Sequence, residues 1–200
     1  MPKIFNEKDR SIIRENLIQL GLEALENGGY KAASIEIMAR KAGIAKGTFY
    51  NFFSSKERFY YEIMLSVRDK NRQEFYDFIA SNKSIDKTCM ENFLYQRYAK
   101  EKNIYHYFTQ DDLKIIFRKI PDQILISHFD STALAAELFS KIPNTNPQLD
   151  HAVVVNMMNI MGSYAADDGL ISMGRDGTLR LLSKALATYI FEGGKSNEYI

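Results

Sequence analysis

AGIAKGTFYNFFSSKE, residues 42–57, decides how the rest of the chain is read. A core helix has no use for Lys46 beside Gly47, and a plain surface helix has none for Phe49, Tyr50, Phe52 and Phe53. The stretch makes sense with two working faces. Phe49 and Phe53 lie four apart and share one side of a short helix over 45–51, facing a core. The same spacing turns Lys46, Thr48, Asn51 and Phe52 elsewhere, and Gly47 leaves no side chain in the way of an approaching surface.

The flanks fit this reading. Ile13, Leu17, Leu20 and Ala24 form a helical stripe that Gly28-Gly29 ends with a left-handed cap. Ser34 then N-caps IEIMARKA, which Gly43 closes. Ala39 is small enough for two helices to approach, and Ile44 plugs the gap between them. Two helices joined through a glycine turn have the spacing of a helix-turn-helix. Lys46 brings charge suited to a phosphate, and Tyr50 a hydroxyl on a packing ring. Lys56 stands at the start of a further helix, where free backbone N–H groups favour an anion. Thr48 and Asn51 are suited to base edges in a major groove. The alternative reading makes Lys46 and Lys56 ordinary solvated lysines, Ser34 only a cap, and Phe52 a residue without contact.

Composition sets outer limits. The chain has 200 residues, 46% hydrophobic and 26% charged, with net charge +1, so no global field announces a nucleic-acid partner. Residues 1–58 nevertheless carry ten Lys/Arg against seven Asp/Glu, a local excess of +3. Cys89 is the only cysteine, which excludes an intramolecular disulfide and a cysteine zinc site and suits a reducing cytosol. MPKIFNEKDR is polar, so no signal peptide is expected, and no run of eighteen apolar residues occurs. The expected setting is cytoplasmic, without a membrane partner.

Prolines occur only at 2, 121, 143 and 147. Ser54 or Ser55 caps a helix from 56 to about 80, apolar at both ends and polar across RDKNRQE. Periodic segments follow near 86–100, 103–119 and 122–142. PNTNP at 143–147 is a loop, and Asn146-Pro147 is expected to open a helix over 148–166. A last helix is expected near 176–192. No strand-like alternation competes, so the chain is expected to be all-α. The last two helices have apolar or small residues on more than one face. Val155, Gly162, Leu181 and Ala185 are the candidates for pairing with a second copy about a two-fold axis. The alternative is that both helices sit inside a monomer core.

No catalytic constellation is visible. His106, His128 and His151 are scattered, no GxSxG, P-loop or GxGxxG occurs, and Asp111-Asp112 and Asp167-Asp168 read as helix-end charges. No enzyme activity, cofactor or metal site is expected. The C-terminal part is aromatic, with FLYQRY at 93–98, IYHYF at 104–108, and Phe129. Tyr95, Tyr98, Phe117, Met157 and Met161 are the candidate lining of a cavity, although helical bundles also bury such residues without a ligand.

GYKAASIEIMARKAGIAKGTFYNFFSSKERF, residues 29–59, closely resembles the N-terminal domain of TetR-type transcriptional regulators. The family pattern is a glycine-aromatic pair and a Ser/Thr-capped helix, then Ala-Gly-Val-Ser-x-Gly-Thr-Leu-Tyr-x-His/Tyr-Phe-x-x-Lys-x-x-Leu. The resemblance implies a three-helix DNA-binding head over residues 1–55, with its helix-turn-helix at about 34–53. It also implies an effector-binding and dimerisation body over 56–200, about nine helices in all. It implies a homodimer acting on double-stranded DNA, a repressor released from a pseudo-palindromic operator by a small apolar or aromatic effector. Ser34, Lys46, Gly47, Thr48, Tyr50, Asn51, Phe52 and Lys56 fall on the family's DNA-contacting positions. Three residues depart from the pattern. Ala45 stands where a capping Ser is usual, Phe52 where His or Tyr is usual, and Ile37 where an acid is usual. Two rivals stand beside this reading: a DNA-binding regulator whose body is a protein-interaction module, and a helical enzyme that borrows the head motif.

Overall fold

The computed structural model describes residues 6–99, 107–121, 131–166 and 172–192. The described residues form nine α-helices and a short 3-10 turn at Ser172–Gly174, with no strand among them. The helices are α1 (Glu7–Ala32), α2 (Ile35–Lys41), α3 (Lys46–Phe49), α4 (Lys56–Ser81), α5 (Lys87–Ala99), α6 (Gln110–Arg118), α7 (Ser131–Phe139), α8 (His151–Ala166) and α9 (Arg175–Glu192). Two compact units emerge, Met1–Asp69 with His106–His128, and Lys70–Tyr105 with Phe129–Ile200. Helix α4 contributes residues to both.

This partition differs from the division at 55/56, for a physical reason. Residues 107–120 build part of the first unit's core. Phe108 packs its ring 5.9 Å from Tyr30 and 6.2 Å from Tyr60, and Ile116 and Ile120 are buried. Periodicity near residue 110 marks an apolar face but not the partner that covers it.

The first unit is held by an aromatic chain. Phe49, Phe53 and Phe59 meet at 4.7–5.4 Å. Phe59 then meets Tyr60 at 5.0 Å, and Tyr60 meets Tyr30 edge-on at 5.2 Å. Such pairs add about 0.5–1.5 kcal/mol each beyond their buried area. Leu17 and Leu25 of α1 and Met38 of α2 complete this core. The crossing of α1 and α4 is close at Gly21. A Cβ there would lie 2.4 Å from Ile63 Cδ1 and 2.6 Å from Phe59 Cζ, so only glycine fits. An ionic contact joins the same two helices, where Glu62 accepts from both Arg14 and Arg58 Nε.

The first helix breaks at Gly29, as expected. Helical bonding resumes to Ala32, with Gly29 at φ 69° as a kink. The glycine supplies the positive φ, and the Tyr30 ring that follows it is buried against Tyr60.

In the second unit, Phe75, Met90, Leu94, Leu138, Phe139, Val154, Met161 and Leu186 belong to one buried cluster. Here α9 packs on α5 and α8, and α7 packs on α8. Helix α8 begins at His151 rather than near 148. Asp150 caps it, accepting from the N–H groups of Ala152 at 2.8 Å and Val153 at 3.4 Å. Asn146 instead accepts from Gln148 N–H, while its own N–H donates to the Ile190 carbonyl. It closes a loop against α9 and does not start the helix.

Candidate nucleic-acid interface

Ser34 has extended backbone, and its Oγ accepts from Ile37 N–H at 3.4 Å, which starts α2. With Ile37 in place of an acid, the reciprocal half of a capping box is absent, and Ile37 is 47% exposed. The helix ends through Ala42 N–H donating to the Met38 carbonyl and Ile44 N–H to the Ala39 carbonyl. Gly43 makes the turn at φ +71°, with nothing within 4 Å of where a Cβ would stand. That left-handed backbone is why a glycine is needed there.

Helix α3 starts at Ala45 without a side-chain cap. Only the Ala45 carbonyl is used, accepting from Thr48 and Phe49 N–H at 2.9 and 3.2 Å. The α-helical part spans four residues. Bonds from Asn51, Phe52 and Phe53 N–H back to Thr48 and Phe49 carry the turn on to Phe53. Its inner side is Phe49 and Phe53, both essentially fully buried. Lys46, Gly47, Tyr50 and Asn51 are exposed, and Thr48 and Phe52 half-buried. Tyr50 is 44% exposed while its ring edge meets Phe49. Nothing lies within 4 Å of a Cβ built on Gly47.

The charged groups differ in how they are held. Lys46 Nζ lies 3.9 Å from Glu36, with both side chains more than half exposed. Such a pair contributes little and is easily exchanged for another anion. Lys56 is more committed. Its Nζ donates to the Tyr30 carbonyl at 2.8 Å and sits 4.4 Å from the Tyr30 ring centroid. Burial lowers its pKa, while Glu57 and Asp112 oppose the shift. Its first role is therefore to tie the start of α4 to the end of α1, with two of its three N–H donors left over.

Arg10 of α1 was not among the residues singled out from sequence. Its Nη2 donates to the Asn51 carbonyl at 3.3 Å, and its guanidinium lies 4.8 Å from the Phe52 ring centroid. It belongs to the polar side of an amphipathic helix, and no local pattern marks it as a neighbour of residues forty positions away.

The five candidate pocket residues do not come together in one unit. Phe117 belongs to the first unit, the other four to the second. Met161 is fully buried in the core, and Met157 and Tyr98 pack against it. Tyr95 donates its hydroxyl to Asp176, with Arg180 stacked 3.9 Å from its ring centroid. Two concave regions of the described surface contain none of the five. One, of about 290 Å³, lies between α1 and α2, and the other, about 650 Å³ and shallow, lies on α8. Phe129 and residues 104–106 lie outside the described residues, as do His106, His128, Asp167 and Asp168.

The dimer candidates also separate. Leu181 is 70% exposed and Ala185 is exposed, whereas Gly162 is buried and Val155 packs against the core. Ile160 and Val153 of α8 are the exposed large apolar residues there instead. Among the described residues no helix is long and apolar enough to cross a membrane, and no group of three or more His, Cys, Asp or Glu could hold a metal.

Residues 17–63 match the family model for bacterial regulatory proteins of the tetR family. Over these residues the chain is similar to the tetR family. Similar proteins include an uncharacterised HTH-type transcriptional regulator of Bacillus subtilis, YhgD, 34% identical over 65 residues, covering 32% of this chain and 34% of that one. Another is the HTH-type transcriptional repressor DhaR of a Mycobacterium species, 34% identical over 50 residues and 25% of each chain. The chain thus matches only about a quarter to a third of the length of these relatives. Among solved structures, a protein from Mesorhizobium loti described as a TetR-family transcriptional regulator superposes with TM-score 0.61 at 17% identity, covering 89% of this chain and 94% of that one. Bacillus subtilis FadR, solved in complex with stearoyl-CoA, superposes with TM-score 0.51 at 15% identity, covering 90% and 98%. At such identities the likeness concerns the TetR fold alone. The family and these neighbours are transcriptional regulators, not enzymes.

Proposed function

We propose that this protein is a one-component, DNA-binding transcriptional regulator, a repressor that acts from the cytoplasm as a homodimer and leaves its operator when a small apolar or aromatic effector binds. The observation that carries the reading is the division of α3 into a buried Phe49–Phe53 side and an open side of Lys46, Gly47, Thr48, Tyr50 and Asn51. A helix so short is anchored by its own aromatics and needs no cap to hold its outer face rigid. In this reading Thr48 and Asn51 meet base edges. Lys46, Tyr50 and a spare donor of Lys56 meet phosphates, as does the Ser34 end of α2. Phe52 lacks a polar atom and makes no polar contact of its own.

Two copies set two recognition helices toward one duplex, paired through the exposed apolar residues Leu181 and Ala185 of α9 and Ile160 and Val153 of α8. An effector acts only through its different affinity for the bound and released states. The methionine- and aromatic-rich second unit suits an apolar ligand. The burial of Met161 in the core and the engagement of Tyr95 by Asp176 favour a second reading, in which the body docks a protein and takes no small ligand. A thermal-shift screen separates the two: an apolar compound that raises the melting temperature supports the first. Sequencing of genomic DNA crosslinked to the protein, with and without such compounds, tests the function itself. Discrete sites lost on adding a ligand are expected, and uniform background at all positions would refute it.

A further inference from the structure

Arg10 and Arg14 lie one helical turn apart on α1, and each guanidinium lies on a phenylalanine of the α3 region. Arg14 sits 5.1 Å from the Phe53 ring centroid, and Arg10 sits 4.8 Å from that of Phe52. The resemblance ends there. Arg14 is paired with Glu62, which Arg58 also engages, so its charge is spent inside the first unit. Arg10 is exposed, and among the described residues no carboxylate pairs with it. One of its donors goes to the Asn51 carbonyl. The rest of its five-donor fork is open to solvent.

We propose that Arg10 is a phosphate-contacting residue of the DNA interface and that Phe52 is the platform that positions it. The inference rests on the DNA-binding reading above. Phe52 stands where the family usually has a polar side chain, and an aromatic ring without a polar atom is well suited to one task there, holding a guanidinium by its face. The bond to Asn51 O fixes the remaining angle, so the fork is aimed beside the end of the recognition helix and is not left to swing. A preset guanidinium loses little freedom on meeting a phosphate, which it matches with two parallel donors. Charge and aromatic ring, divided between residues 10 and 52, replace the single polar side chain.

The test is the salt dependence of binding to a random-sequence duplex and to the duplex that the wild-type protein enriches from a random pool. Each phosphate contact contributes about −0.9 to the slope of log K against log salt. Arg10→Ala and Arg10→Gln are both expected to flatten the slope by about one contact. That is an affinity loss about three- to four-fold larger at 50 mM than at 200 mM salt. The glutamine keeps a donor for Asn51 O, so it separates charge from bracing. Phe52→Ala is expected to reproduce part of the loss although it removes no charge, and Phe52→Tyr to retain the wild-type slope. Melting temperatures of the two Arg10 variants and of Phe52→Tyr should stay near wild type, since Arg10 is exposed and tyrosine keeps the ring, while Phe52→Ala removes a half-buried ring and is compared at a temperature where it is fully folded. A wild-type slope for Arg10→Gln overturns the contact, and a wild-type slope and affinity for Phe52→Ala overturns the platform. Lys46→Ala, measured alongside, keeps the two readings apart. If it flattens the slope and the Arg10 variants do not, only this inference fails. If the wild-type protein shows no salt-dependent duplex binding, the DNA-binding reading fails and this one with it.

Discussion

Replacing Gly47 by alanine should move stability and function in opposite directions. Gly47 lies inside α3, its φ is not in the left-handed range, and a Cβ built on it meets nothing within 4 Å. The free protein therefore bears no steric cost. Alanine removes the conformational entropy that glycine loses in a helix, a gain of about 0.5–1 kcal/mol. For a chain of this size that is roughly 1–4 °C in melting temperature. On DNA the same methyl occupies the space into which the duplex is proposed to come. If duplex atoms approach that position to van der Waals distance, forcing in one carbon costs about 1–3 kcal/mol, by analogy with overpacked cores. Affinity then falls about 5- to 150-fold. The assay is paired: thermal melting of wild type and Gly47→Ala, and equilibrium titration of a labelled duplex selected by the wild type. A variant that melts higher and binds equally well would show that α3 does not face the duplex at this position. A variant that melts lower would mean that the surroundings of Gly47 are not open.

Gly21→Ala should act the other way. Its Cβ would meet the buried Ile63 and Phe59 at 2.4–2.6 Å, and overpacking of about 1–3 kcal/mol outweighs a propensity gain of about 1 kcal/mol; a raised melting temperature would refute the close crossing. Alkali should weaken the first unit. Burial pushes the Tyr60 phenol well up and, with help from Glu57 and Asp112, Tyr30 to about 12. The folded state then holds protons that the unfolded chain gives up near its ordinary value of about 10, so stability declines from about pH 10 upward. Denaturant titrations across that range, with Tyr60→Phe showing a shallower decline, check it; a decline just as steep in the variant would exclude Tyr60. Leu181→Asp, at a residue 70% exposed, should leave the fold intact and weaken self-association in sedimentation analysis. An unchanged association state would remove α9 from the proposed pairing surface.

The helix-turn-helix was legible because its signals are local. Glycine at a positive φ, a serine cap and an aromatic pair four apart each act within a few residues, and the structure places Gly43, Ser34, Phe49 and Phe53 accordingly. The missing cap at Ala45 was legible for the same reason. Lys56 was not, since its ammonium meets a carbonyl twenty-six residues earlier, and helical periodicity carries no information about that. Arg10 escaped because its meaning depends on Phe52, and Phe117 was grouped with the wrong unit because an apolar face does not name its partner. Asn146 and Asp150 both carry capping side chains four residues apart. The bonds from Ala152 and Val153 N–H to Asp150, with that from Asn146 N–H to Ile190 O, decide between them.

The most direct test of the central claim is selection of binding sites by the purified protein from a pool of random duplexes. The account predicts enrichment of two inverted half-sites, their centres one or more helical turns apart at about 10–10.5 base pairs per turn, with Thr48 and Asn51 variants enriching altered half-sites. A pool that emerges unenriched, or one whose winners are unchanged by substitutions at Thr48 and Asn51, would contradict it.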